Sequence, residues 1–151
     1  MAPIGALFTF LALITSAIWG KPMWGTWWVW DARLTAELIL FFLYLGVLAI
    51  YSAFQDRNVG AKAASVLCVV GVVNLPIIHF SVEWWNTLHQ GASITKLERP
   101  SIATPMLIPL ILCIFGFMTL YIWLTLVRYR IELLKEDSKR PWVKALAEKI
   151  N

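Results

Sequence analysis

Four long apolar stretches constrain the fold of this 151-residue chain more than any other feature. They cover residues 1–20, 34–54, 63–80 and 102–127, and Glu37 is the only charged side chain among them. A helix of roughly 20 apolar residues crosses a hydrocarbon core about 30 Å thick. Lipid offers no partners to backbone N–H and C=O groups, so each stretch must be helical. The sequence predicts an all-α, polytopic transmembrane helix bundle with four spans.

Composition agrees with a membrane protein and disfavours an enzyme. The chain is 60% hydrophobic and 15% charged, with a mean hydropathy of +0.71, which is unlike a soluble globular domain. It contains no phosphate-binding glycine-rich loop, and its two histidines do not form a Ser-His-Asp set. We therefore expect no catalytic residues, and any ATPase activity is expected to reside in partner subunits.

The distribution of Lys and Arg predicts the orientation in the membrane. Residues 55–62 and 128–151 hold nine of these 13 side chains, whereas residues 21–33 and 81–101 hold four. The positive-inside rule then places both termini in the cytoplasm and the loops 21–33 and 81–101 outside. Residues 1–127 are predicted to form the transmembrane domain, followed by the basic cytoplasmic tail. Because acidic side chains are interspersed in that tail, a nucleic-acid partner is not expected.

Tryptophan is concentrated on the predicted outer side. The segment 24–31 reads WGTWWVWD, with four tryptophans closed by Asp31. An aromatic belt at the bilayer interfaces would place similar numbers on both faces. The tryptophans predicted outside are Trp19, Trp24, Trp27, Trp28, Trp30, Trp84 and Trp85, and those predicted inside are Trp123 and Trp142. This asymmetry favours a ligand-binding surface on the outer face.

The residue types suit a flat, apolar ligand that carries carboxylates. Indole rings offer apolar faces and N–H donors, and Arg33 could hold a carboxylate through two hydrogen bonds. The only two histidines, His79 and His89, fall at or in the second outer loop, and neutral imidazole is a common axial ligand of haem iron. His89 is the preferred iron ligand and His79 the less favoured one. Gly91 is expected to end a short interfacial helix that starts at Val82.

Two segments carry a resemblance to a known family. Residues 24–35 resemble the tryptophan-rich "WWD" signature of membrane proteins that handle haem. Residues 74–79 (NLPIIH) and 81–91 (SVEWWNTLHQG) resemble the cytochrome c maturation protein C (CcmC) family, and the similarity covers nearly the whole chain.

The resemblance implies a bacterial inner-membrane subunit that presents haem b from its periplasmic face to a periplasmic haem chaperone. The implied partners are an ABC ATPase, its membrane subunit and a small single-span protein. His89 matches one of the family's two axial histidines. The residues expected to bind haem are Trp24, Gly25, Trp27, Trp28, Trp30, Asp31, Arg33, Trp84, Trp85 and His89.

The resemblance also implies a difference from typical members. These have six spans, and this chain corresponds to the last four, so we expect a fragment or a start-site artefact. In typical members the other axial histidine lies in a loop between two helices that precede the part matched by this chain, and this chain is expected to have no counterpart of it. The isolated chain is therefore expected to bind haem weakly and mainly five-coordinate, unless His79 or a partner fills the second position.

The residues alone leave two alternative functions open. A cage of tryptophans could hold aromatic cations by cation–π attraction, as in a small exporter. Such an exporter is expected to bury a carboxylate within a span, whereas Glu37 lies near the interface. A structural membrane subunit with belt tryptophans is the other alternative. It leaves the clustering of tryptophan and histidine on one side unexplained.

Overall fold

The protein is all-α in its described part. The computed structural model describes residues 1–85, 87–91, 94 and 101–143. Its helices are α1 (Ala2–Trp24), α2 (Ala32–Ala53), α3 (Arg57–Trp84) and α4 (Thr104–Asp137). All four are long and apolar enough to cross a membrane, and the described residues contain no strand. The prediction of an all-α, four-span, multi-pass membrane protein is confirmed.

The chain divides into two compact units. The first, residues 1–101, contains α1, α2 and α3, and the second, residues 102–151, contains α4. Within the first unit, α2 packs against both α1 and α3. The three helices run in alternating directions, so the residues that follow α1 and those that follow α3 meet at the same end. That end carries most of the tryptophans.

The helices extend beyond the apolar stretches from which they were predicted. Apolar character marks the part that crosses lipid, whereas backbone hydrogen bonds continue into the interfacial residues. Only residues 25–31 therefore separate α1 from α2, a shorter connection than the predicted loop 21–33. Helix α4 likewise continues beyond residue 127, to Asp137. Residues 144–151 lie outside the described part.

The predicted interfacial helix from Val82 to Gly91 is wrong. Val82 belongs to α3, which ends at Trp84, and Trp85 adopts an extended conformation with φ −130° and ψ 155°. Residues 87–91 are not helical. A local bond replaces the helical pattern, since the backbone N–H of His89 donates to Thr87 Oγ1 at 3.3 Å. Thr favours such local bonds over helix interiors.

Close helix contacts hold the first unit together. A Cβ atom at Gly5 of α1 would overlap the ring of Tyr44 in α2, so a larger residue would require that ring to move. Between α2 and α3, the buried Asn74 Nδ2 donates to the backbone carbonyl of Ala36 at 2.9 Å. Small residues and interhelical hydrogen bonds are the usual contacts between transmembrane helices. The Asn74 bond joins α3 to the first turns of α2, beside the tryptophan-bearing end.

Candidate functional site

Gly25 ends α1 in the left-handed backbone conformation, and the chain turns there into the tryptophan-rich connection. Gly25 has φ 77°, and its N–H donates to the carbonyl of Lys21 at 3.0 Å. Lys21 Nζ donates to the Gly25 carbonyl at 3.1 Å and lies 5.8 Å from the centre of the Trp27 ring. A side chain at position 25 would be strained at this φ value. Gly25, a predicted site residue, therefore serves to shape the turn.

The next residues display indoles on a short, locally bonded segment. Thr26 Oγ1 donates to the carbonyl of Trp28 at 3.1 Å, and the rings of Trp28 and Trp30 meet edge to face at 5.6 Å. Trp27 and Trp30 remain 58% and 75% exposed. Trp28 Nε1 is buried and has no hydrogen-bond partner among the described residues. Two indoles are thus accessible, and a third has an unsatisfied donor.

Asp31 connects two predicted site elements. Its Oδ1 accepts a hydrogen bond from the backbone N–H of Leu34 at 2.8 Å, which caps the N-terminus of α2. Its Oδ2 lies 2.7 Å from Nδ1 of His89, 58 positions away in the chain. The Asp31 and His89 side chains are only 5% and 17% exposed. The connection after α3 is thereby bonded to the start of α2.

Aromatic rings pack around the His89 imidazole. The Trp24 ring meets it edge to face, with the ring centres 4.9 Å apart. Trp19, on the same helix as Trp24, contacts Trp24 at 5.3 Å with the two rings almost perpendicular. His89, Asp31 and Trp24, three of the predicted site residues, therefore form one cluster, and Trp19 extends it into α1.

Two cavities adjoin this cluster, and Arg33 and Glu37 line both of them. One, of about 530 Å³, lies between α2 and α3 and is also lined by His79. The other, of about 400 Å³, lies between α1 and α2 and is also lined by Trp19 and His89. The two histidines thus line different cavities. Within the described residues, no carboxylate lies at ion-pair distance from the Arg33 guanidinium.

The second pair of tryptophans lies at the end of α3. The Trp84 ring stacks on Phe80 at 5.3 Å and meets Trp85 edge to face at 5.8 Å. Both indoles are at least half exposed, at 57% and 50%. Among the described residues, Trp84 and Trp85 form ring contacts with each other and with Phe80, and not with Trp24 or Trp28. The structure brings this pair to the same end of the unit without joining it to the His89 cluster.

Comparison with known proteins decides the family. The sequence model of "Heme exporter protein C" (CcmC) matches residues 1–144, which include the tryptophan-rich connection, Asp31 and His89. The chain belongs to the CcmC family. Its resemblance to this family, inferred from the two tryptophan-bearing segments, is thereby confirmed.

Several curated CcmC proteins are similar over most of the chain. Heme exporter protein C of Haemophilus influenzae is 86% identical over 148 residues, 98% of this chain and 60% of that protein. The Escherichia coli K12 protein of the same name is 60% identical over 146 residues, 97% and 58% of the two chains. The Bradyrhizobium diazoefficiens protein is 54% identical over 134 residues, 89% and 51%. The chain thus spans about 60% of the length of the first two relatives.

Two residues of this candidate site were not predicted from the sequence. Trp19 was counted among the outer tryptophans, but only its contact with Trp24 attaches it to the His89 cluster. Trp19 and Trp24 are five residues apart, a spacing that does not place two side chains on one helix face, so nothing in the sequence indicates their contact. Glu37 lines both cavities with Arg33. In the sequence, Glu37 could have been noticed as a carboxylate in an apolar span, one helical turn after Arg33.

Proposed function

We propose that this chain is a haem-binding membrane subunit that presents haem b to a periplasmic haem chaperone during maturation of c-type cytochromes. The observation that carries the proposal is the His89 imidazole, bonded to Asp31 through Nδ1 and packed against Trp24. The relatives named "Heme exporter protein C" support haem as the cargo. We propose no catalytic step for the chain, which would bind, orient and release haem.

The donor chemistry of the His89 cluster fits haem iron. A ligating histidine commonly donates its other ring N–H to a carboxylate, which fixes the tautomer and raises the basicity of the ligand. Asp31 stands at this position beside Nδ1 of His89. Nε2 is then the nitrogen that carries a lone pair, and a neutral imidazole is a common axial ligand of haem. His79 has a different setting, with its ring edge-on to Phe80 and its side chain exposed.

The surroundings suit the rest of the haem molecule. The exposed Trp27 and Trp30 offer apolar ring faces for the macrocycle. Arg33 has no ion-pair partner in the described part of the chain, and its guanidinium matches a propionate carboxylate in geometry. Trp28 Nε1 is a further unsatisfied donor. A structural subunit with belt tryptophans does not require the Asp31–His89 pair.

The proposed setting is the bacterial inner membrane. The excess of Lys and Arg in residues 55–62 and 128–151 supports cytoplasmic termini, and the loops that carry the site would then face the periplasm. Export of haem requires energy, and the sequence has no nucleotide-binding motif. From the family membership we propose an ABC ATPase, its membrane subunit and a small single-span protein as partners.

Titration of the purified chain with haemin tests the proposal. In detergent or nanodiscs, we expect a sharp Soret band to appear and saturate, together with strong quenching of tryptophan fluorescence, because several indoles lie near the proposed site. Metal-free protoporphyrin IX measures the contribution of the platform without iron, and a quaternary ammonium dye tests the aromatic-cation exporter. Saturable binding of the dye without a haemin Soret band would contradict the haem proposal.

A further inference from the structure

We propose that Asp31 is a positioning residue that selects the Nδ1–H tautomer of His89 and so directs its Nε2 lone pair to the ligand. The inference rests on the proposed function for the identity of that ligand. It goes further because it gives Asp31, the last residue of the tryptophan-rich segment, control over which tautomer the His89 ring adopts.

The Asp31 carboxylate is fixed at both oxygens. Oδ1 accepts from the Leu34 backbone N–H at 2.8 Å, and Oδ2 pairs with His89 Nδ1 at 2.7 Å. With a side chain that is 5% exposed, the carboxylate has little access to water as an alternative partner. Rotation of the carboxylate away from His89 would also remove the cap of α2. The first turn of α2 therefore aims Oδ2 at the imidazole.

The pairing determines which ring nitrogen carries the proton. An ionised carboxylate can only accept hydrogen bonds, so a neutral His89 must donate from Nδ1. Nε2 is then unprotonated and available to a metal, without the need to lose a proton first. A histidine that exchanged freely between tautomers would spend part of its time with Nε2 protonated and unable to bind.

Two further contacts restrict the imidazole. The Trp24 ring meets it edge to face at 4.9 Å, and the His89 backbone N–H donates to Thr87 Oγ1 at 3.3 Å. The His89 side chain is 17% exposed, so the ring is confined before any ligand arrives. Preorganised ligands of this kind lose less freedom on binding.

Asp31→Asn isolates the proposed role. Asparagine is as good an N-cap as aspartate, so its carbonyl can still accept from Leu34. Its NH₂ group then faces His89 Nδ1, which becomes an acceptor and moves the ring proton to Nε2. Asp56→Asn is the matched control, because Asp56 caps α3 by accepting from the Asn58 N–H at 2.8 Å, in the connection at the other end of α2.

The first readout is independent of haem. Histidine-selective ¹⁵N NMR of the apoprotein reports the tautomer of each ring, and a His79→Asn background leaves His89 as the only histidine. We expect the Nδ1–H form in the parent and in Asp56→Asn, and the Nε2–H form in Asp31→Asn. The same tautomer in the parent and in Asp31→Asn would overturn the inference, even if the chain binds haem.

The second readout is haem affinity. Loss of a carboxylate behind a metal-bound histidine typically weakens binding 10- to 100-fold, so we expect roughly that loss for Asp31→Asn and none for Asp56→Asn. In a His89→Ala background, Asp31→Asn should have no further effect. A full loss that persists there would assign Asp31 to folding alone and refute the inference. If the parent binds no haem, the proposed function fails, while the NMR result still decides the role of Asp31.

Discussion

Replacing His89 with alanine is expected to weaken haem binding by more than about 100-fold and to shift the Soret band. The change removes the proposed iron ligand itself, so its effect should exceed the 10- to 100-fold loss typical of a residue that only supports a ligand. Haemin titration by absorbance measures both quantities. His79→Ala is the matched control, because His79 is the other histidine and lines the neighbouring cavity with Arg33 and Glu37.

The comparison between the two histidines is decisive for ligation. We expect His79→Ala to leave the Soret maximum in place and to change the affinity only slightly. If His79→Ala abolishes the band while His89→Ala preserves it, His79 is the ligand and the proposed role of the Asp31 pair is wrong. The free energy of unfolding in detergent should be measured for both variants, so that loss of binding is separated from loss of structure.

Replacing the four tryptophans of the connection with leucine is expected to abolish measurable haem binding. The variant changes Trp24, Trp27, Trp28 and Trp30 together and keeps the segment apolar, so it removes the indole rings and their N–H groups, including the Trp24 ring that packs against His89. Aromatic contacts contribute about 0.5–1.5 kcal/mol each beyond their buried area, or roughly 2–6 kcal/mol for four. Equilibrium haemin titration in nanodiscs measures the loss.

The control for this variant uses tryptophans predicted on the other side of the membrane. Trp123 and Trp142 are 58% and 59% exposed, and neither belongs to the residues of the candidate site, so their replacement by leucine removes two other indoles. We expect unchanged haem affinity in that control. Unchanged affinity in the four-tryptophan variant would instead support an aromatic belt and remove the platform from the proposal.

The helical architecture follows from the sequence because the bilayer imposes it. Runs of about 20 apolar residues have one stable conformation in lipid, so the spans could be predicted without knowledge of their packing. Their ends could not, because the apolar character fades before the helical hydrogen bonds do. Residues 81–84 illustrate this: their polar and aromatic character indicates a loop, yet they complete the last turn of α3.

The composition of the candidate site was predictable, whereas its contacts were not. Residue type, the predicted side of the membrane and the resemblance to the CcmC family all pointed to Trp24, Asp31 and His89. Their mutual contact joins positions 58 residues apart, and no local pattern encodes that distance. The capping role of Asp31 had a local signal, since aspartate favours the position just before a helix. Its second oxygen has a partner that only the tertiary structure reveals.

Pulsed electron paramagnetic resonance of the ferric haem complex tests the central claim most directly. In the His79→Asn background, His89 is the only histidine, so ¹⁵N-labelled histidine places the label at one residue. We predict a hyperfine coupling from a directly bound imidazole nitrogen that changes between ¹⁴N- and ¹⁵N-histidine samples. A haem complex that forms with the same affinity but shows no histidine coupling would contradict ligation by His89.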